Sequence, residues 1–451
     1  MDNSGYVLFG FIFLLGGCLL WSTKSHSLMV FIAVTSFGLE QIACIQISQL
    51  RFDTSLFNYI VAAAIGVSYL SMLRERSRYF SNSFSANICI ATICAFFIYY
   101  CASYAWSPYL KINDSLNAVP YFIFFVILVP LLARSIQDHD RSVLVSFSLL
   151  GLGCLGLALS PSFYVSETLS RAVVVFDASN DGAYGNPLAL ADTGVFLSFF
   201  CLYVIAKTKS YISAMRFYLL LPFILFFMLL GFWVSFTSSR GEFISGIVAL
   251  SFFACLLYTK QGIRRGALLL VFFFTVTILS FSFADLWIPL AKEYSPRFTA
   301  EYISSAVNVR VGLMQDAIGM ALQSPISLFF GCGARSCEFT LGMYPHSVII
   351  QAIAEVGILG TAMLLISYGA CAKCGMNALA AAHQTGNHRM VRIASLWLTL
   401  LLYSFMVHNK KGSLHFPDAY MWVTLSAVVF NQIIGACENE LKEGKRGTLA
   451  I

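Results

Sequence analysis

Long apolar runs separated by short polar breaks dominate the chain. Thirteen of them approach the ~20 residues that a helix needs to cross the hydrocarbon core of a bilayer. They cover 6–21, 27–50, 56–73, 86–104, 117–133, 142–160, 188–206, 217–237, 242–259, 266–288, 346–371, 393–408 and 416–435. Backbone polar groups cannot face lipid unpaired, so each run predicts a helix. The first run is short, and the last two carry the weakest signal. Two connections are long, about 161–187 and 289–345, while the others are mostly brief. Alternation of the loops puts both long ones on the same face. Long loops in compact domains tend to carry function.

The second long loop has a pattern of its own. In EYISSAVNVRVGLMQDAIGMAL (301–322), Ile303, Val307, Val311, Met314, Ile318 and Leu322 recur at steps of three and four. This spacing predicts an amphipathic helix with an apolar arc of about 100°. Arg310 falls at the edge of that arc, and Asn308, Gln315 and Asp316 lie on the polar side. The helix is therefore expected to turn its apolar stripe, and one guanidinium, toward the membrane domain.

Composition narrows the class further. Of 451 residues, 58% are hydrophobic and only 11% are charged, against about 25% charged in a typical soluble domain. These values exclude soluble, disordered, collagen-like and small disulfide-stapled proteins. What remains is an all-α polytopic membrane protein of about 12–13 transmembrane helices. One large outer loop would hold an amphipathic helix. The net charge is +6, but no basic run is long enough to grip nucleic acid. One alternating set of loops holds 18 of the 28 Lys and Arg. That set should be cytoplasmic, which puts the N-terminus outside and the C-terminus inside. The opening MDNSGYVLFG has no basic n-region, so the first run should stay as a span. The expected organisation is ten spans over 1–288, the outer loop 289–345, three spans over 346–435, and a polar tail, 436–451, that frays.

Candidate chemistry gathers at the outer ends of the spans. Arg240 lies in Ser238-Ser239-Arg240-Gly241-Glu242, a hairpin turn at the membrane edge. An arginine there either snorkels to the interface or faces a polar cavity. His346 opens the eleventh run. At a helix N-terminus the dipole favours the neutral ring, the form a general base needs. The alternative is an interfacial histidine that caps a backbone group. Glu355 lies nine residues on, about 180° around the helix, so its partner should come from another span. Gly357 and Gly360 would let a second helix approach closely. The first long loop holds Arg171 and the turn Asn186-Pro187. Its Asp177-x-Ser179-x-Asp181-Gly182 fails as a calcium loop, because Leu188 stands where the closing Glu belongs. Cys371 and Cys374, with His383 and His388, suit zinc by type but not by spacing. No metal or cofactor is expected. Cys332 and Cys337 share the outer loop, where a disulfide is an open alternative. Lys410 and Lys411, beside His408, could attract an anion or anchor a span.

Taken together, these segments resemble the bacterial O-antigen ligase and polymerase family of multi-span enzymes. The likeness rests on Thr237-Ser238-Ser239-Arg240-Gly241, then Val309-Arg310-Val311-Gly312 with Ser324-Pro325 and Gly331-x-Gly333, then His346-Ser347 with Glu355, Gly357 and Gly360. Arg171 with Gly185-Asn186-Pro187 is a weaker element. The resemblance covers about 165–370. Many members carry Asn after this histidine, whereas this chain has Ser347. Ten runs before the long loop also exceed the nine usual for ligases.

The resemblance implies a transferase of the bacterial inner membrane with its site facing the periplasm. The donor would be a glycan on undecaprenyl diphosphate, and the acceptor lipid A-core or a second carrier-linked glycan. His346 would be the base, and Arg240 and Arg310 a diphosphate clamp that works without metal. Arg171, Asn186, Glu355, Lys410 and Lys411 would contribute to substrate binding. Ligase is the leading expectation and repeat-unit polymerase the alternative. A transporter or flippase of lipid-linked sugars is the more distant reading.

Overall fold

The structure is a computed structural model. It describes residues 30–31, 64–70, 83–109, 123–133, 136–159, 163–166, 171–174, 187–211, 214–258, 300–411, 414 and 418–449. The expected spans 6–21 and 266–288 lie outside the described residues, as do all but short pieces of 27–50 and 56–73. Among the described residues, seven helices are long and apolar enough to cross a membrane. The chain is a multi-pass helical membrane protein. It divides into two compact units, one over Met1–Arg76 and Leu132–Phe298, the other over Ser77–Leu131 and Thr299–Ile451.

In chain order the helices are α1 (Phe84–Ala102), α2 (Val129–Leu132), α3 (Ile136–Leu159), α4 (Pro187–Tyr211), α5 (Ala214–Ser238), α6 (Arg240–Tyr258), α7 (Ala300–Ala321), α8 (Pro325–Phe330), α9 (Ser336–Leu341), α10 (Val348–Gln384), α11 (His388–Lys411) and α12 (Asp418–Leu449). A 3-10 turn, Ser103–Trp106, extends α1, and a π-helical segment, Ile123–Leu128, leads into α2. Apart from end residues such as Ala133, His346 and Ser347, each described part of an expected span is helical. The helix expected over 301–322 forms as α7. The tail expected to fray is instead helical to Leu449, as the end of α12.

In the first unit, α4 and α5 cross where each carries Gly-x-x-x-Ser. Gly194 and Ser198 of α4 face Gly231 and Ser235 of α5, so closely that a Cβ on either glycine would strike the opposite backbone. Without a strong hydrophobic drive between helices in lipid, such close backbone approach is a main source of cohesion. Inside the long connection between α3 and α4 lies a hairpin that the sequence pattern did not predict. Strands β1 (Phe163–Ser166) and β2 (Arg171–Val174) pair antiparallel, with Ser166 opposite Arg171.

In the second unit, α10 is the spine, 37 residues long or about 55 Å if fully helical. Helices α1, α11 and α12 pack along it. Ile93, Phe96, Tyr100, Val348, Ala352, Val356 and Tyr420 form its core near one end. Thr92 Oγ1 and Ser367 Oγ meet at 2.8 Å across the α1–α10 contact. Helix α10 is broken at Gly357, whose φ of 66° is left-handed. At the break the backbone amides of Cys332 and Gly333 donate to the carbonyls of Ala354 and Glu355, at 2.8 and 2.9 Å. Gly331 has φ of 80°, and a Cβ on it would strike Glu355; one on Gly357 would strike Phe329. Glycine is needed at both positions, for the left-handed backbone and for the closeness of the two chains. The sequence reading had Gly357 admit another helix, but it admits the loop before α9.

Candidate functional site

The site is built around the N-terminal end of α10. Ser347 is the N-cap; its Oγ accepts from the Ile350 amide at 3.4 Å. Asn409, near the end of α11, accepts from the Ile349 amide at 3.3 Å and faces Ser347 Oγ at 3.5 Å. Two side chains thus satisfy amides that a helix start leaves open. The neighbour of Ser347 is Asn409, so an amide side chain is supplied at this corner from α11.

His346 lies just before the cap, half-buried, with a left-handed φ of 55°. Non-glycine residues seldom take this conformation, though histidine does so more often than most. Its ring meets Tyr344 edge-on, with centroids 4.8 Å apart. Burial, and then the charges of Arg310 and Lys410, lower its proton affinity below the ordinary histidine value of 6.5. The sequence reading expected a neutral ring from the helix dipole. Here burial and two cations bear on it.

Arg310 reaches this place from α7. It is exposed and lies seven residues, two turns, before Ala317, so both share one face. Ala317 is buried with Ala354 and Cys337. The buried face of α7 is therefore Ala317, Met320 and Ala321, while Val307, Val311, Ile318 and Leu322 are exposed. The helix has the expected amphipathic pattern but a different inward face. Small side chains allow the close contact with α10, and the large apolar ones point away. Lys410 comes from the last turn of α11. Lys411 ends the same helix, and its side chain lies outside the description.

Glu355 is wholly buried. Gln351, one turn earlier in α10, donates to its Oε1 at 3.0 Å. The other end of that amide, Gln351 Oε1, accepts from the Leu414 amide at 3.1 Å. The partner is thus in the same helix, not in another span as the sequence suggested. The amides of Arg335 and Cys337, and the Cys337 thiol, face the same carboxyl. Glu355 lies inside the joint between α10 and the segment 331–337.

Arg335 escaped the sequence reading. It sits just before α9 with φ of 59°. Its guanidinium binds Glu338 through Nη2 at 2.6 Å and Nε at 2.7 Å, and lies 4.4 Å over the Tyr109 ring. The Arg-x-x-Glu spacing just after Gly331-x-Gly333 was the available signal. Cys332 and Cys337 are free thiols. Burial raises the pKa of both. Among the described residues no group of three or more His, Cys, Asp or Glu is placed to hold a metal ion. Cys371 donates to the Val423 carbonyl at 3.3 Å, and Cys374 meets Ser83 Oγ at 3.7 Å. His408 is buried, with Nδ1 2.7 Å from the Ser404 carbonyl.

In the first unit, Arg240 begins α6 and only Ser239 separates it from the end of α5. Ser239 Oγ donates to the buried Glu242 carboxylate. Arg171 heads β2. Asn186 lies outside the described residues. The structure therefore gathers His346, Arg310 and Lys410 within the second unit, and places Arg240 and Arg171 in the first. No protein-family model matches the sequence, and no curated protein matches it significantly.

The arrangement around His346 has two chemical capacities. A ring held neutral can accept a proton. Cations that suppress its protonation attract an anion to the same place, and a planar guanidinium suits phosphate oxygens.

Proposed function

We propose that the chain is a membrane glycosyltransferase that moves a glycan from undecaprenyl diphosphate to a sugar hydroxyl, most simply as an O-antigen ligase acting on lipid A-core. Its place is then the bacterial inner membrane, with 289–345 as the periplasmic loop. The observation that carries the reading is the trio within one unit: a half-buried His346, with Arg310 and Lys410 close enough for their charges to act on its ring. The resemblance in sequence supplies the donor class.

In this mechanism the acceptor oxygen attacks the anomeric carbon while the bond from that carbon to the diphosphate oxygen breaks. The bonding pair leaves with the diphosphate. His346 takes the acceptor's hydroxyl proton. Direct displacement inverts the anomeric centre. Arg310 and Lys410 stabilise the charge that grows on the leaving oxygens, where fixed positive groups act most strongly in a water-poor site. General base catalysis accounts for about 10²–10⁴-fold of the rate.

Reconstitution tests the reading. Purified protein in liposomes is given a defined undecaprenyl-diphosphate glycan, with either lipid A-core or a second carrier-linked unit. A single addition to lipid A-core marks a ligase, and a ladder on the carrier marks a polymerase. No covalent product with either acceptor rejects both. A transporter of lipid-linked sugars is the second reading, and the break in α10 beside buried Glu355 favours it, since transporters unwind spans at their binding sites. However, loop amides already occupy both carbonyls at this break.

A further inference from the structure

Lys410 acts on His346 from a different helix, so the two helix ends must be held together. Two hydrogen bonds between α10 and the end of α11 bracket that lysine. Just before it, Asn409 Oδ1 accepts from the amide of Ile349, in the first turn of α10, at 3.3 Å. Four residues after it, the Leu414 amide donates to Gln351 Oε1 at 3.1 Å. The two anchoring positions on α10, Ile349 and Gln351, are neighbours on the helix start that follows His346.

The Asn409 amide is itself held in one orientation. Its Nδ2 donates to the Phe405 carbonyl, one turn back in α11, at 2.9 Å. A flipped amide would set oxygen against that carbonyl and its NH2 against the Ile349 N–H, so a single orientation satisfies both neighbours. Both ends of one side chain thus join the last turn of α11 to the first turn of α10. A helix start needs partners for its open amides, and here the partner comes from the helix that carries Lys410. His346 has little freedom to follow a shift of that helix. Its own backbone is left-handed, with φ of 55°, and only Ser347 separates it from α10. The groups that face its ring are Tyr344 from its own loop, Arg310 from α7 and Lys410 from α11. Helix α7 is set against α10 through Ala317 and Ala354. The end of α11 is set there by the two bonds described.

We infer that Asn409 is a positioning residue, which fixes the spacing of Lys410 and His346 by tying the end of α11 to the start of α10. The Leu414–Gln351 bond is the second tie. Asn409 acts through Lys410. The spacing is independent of any reaction, and its consequence for transfer rests on the proposed role of His346 as base.

The full chain in dodecyl maltoside micelles tests the spacing without turnover. Diethyl pyrocarbonate acylates the unprotonated imidazole. The initial modification rate at His346, followed by peptide-resolved mass spectrometry across pH, therefore gives its titration midpoint. Lys410→Met should move that midpoint up. Asn409→Leu, which keeps the branched shape, should move it up by most of the same shift. Added to Lys410→Met, it should move the midpoint no further, since residues that act through one another are not additive. Ser367→Ala is the control. It removes a side-chain contact between α1 and α10 far from His346, so it should lower stability and leave the midpoint in place. If Asn409→Leu does not fold, Asn409→Ala takes its place. A parental midpoint in the Asn409 variant, an equal shift with and without Lys410, or a shift in Ser367→Ala would overturn the positioning role. Transfer is measured on the same samples. Midpoints that move as expected, in a parent protein that transfers no glycan, keep the positioning role and reject only the proposed reaction.

Discussion

Replacing Gly357 by alanine should damage the joint that carries the site, and the size of the effect can be worked out. The left-handed backbone at Gly357 costs an L-residue about 1–2 kcal/mol. The new methyl would also strike the Phe329 backbone and push the loop away from α10. That breaks the amide bonds of Cys332 and Gly333 to Ala354 and Glu355, each worth about 1 kcal/mol net. The sum is about 3–4 kcal/mol, a large fraction of ordinary domain stability. Gly369 supplies the control. It lies twelve residues on in the same helix, with open space where a Cβ would go, so Gly369→Ala should stabilise by about 1 kcal/mol through helix propensity alone. Reversible unfolding in mixed dodecyl maltoside and SDS micelles measures both variants. Equal effects at the two positions, or a Gly357→Ala protein as stable as the parent, would refute the account of the joint.

Four other outcomes follow from the same structure. Gly231→Leu overfills the α4–α5 crossing and should cost about 1–3 kcal/mol, read in the same unfolding assay. Ser347→Ala removes the α10 cap and should cost about 1 kcal/mol, with Ser347→Asn close to the parent. Arg310→Lys keeps charge but loses the planar fork; donor turnover should fall at least about tenfold, whereas full activity would mean that bidentate contact is not used. His346, its pKa lowered by burial and then by Arg310 and Lys410, stays neutral in the folded state where the unfolded chain already takes a proton. Stability is therefore lost as pH falls below about 6.5, and His346→Gln should lose less over that window when unfolding midpoints are compared across pH.

The spans were legible because an apolar run of the right length has few other uses. The Ile303–Leu322 periodicity likewise revealed α7. Its inward face was not legible, because moment arguments assume that large apolar residues are the buried ones. In a membrane protein Ile318 and Leu322 can face lipid while Ala317 and Ala321 make the tight contact. The break at Gly357 was hidden for a related reason. Gly357-x-x-Gly360 reads as a smooth surface for helix contact, and only the pairing of Gly331 with Glu355 in space shows that the first glycine turns the backbone. His346, Arg310 and Lys410 were each visible as polar groups at span ends. Their common location depends on α7 and α11 both bringing a cation to His346 at the start of α10, which no local pattern encodes. Arg335 was missed because its partners, Glu338 and Tyr109, make sense only once the loop is folded.

The most direct measurement is the pH dependence of the initial transfer rate from an undecaprenyl-diphosphate glycan, for the parent, Lys410→Met and His346→Gln. The parent should lose activity on the acid side with a midpoint below the ordinary histidine value of 6.5. Lys410→Met removes one of the charges that hold the ring neutral, so its midpoint should move up. His346→Gln should be about 10²–10⁴-fold slower and lack that acid limb. A His346→Gln protein that keeps both the rate and the limb would contradict the assignment of the base.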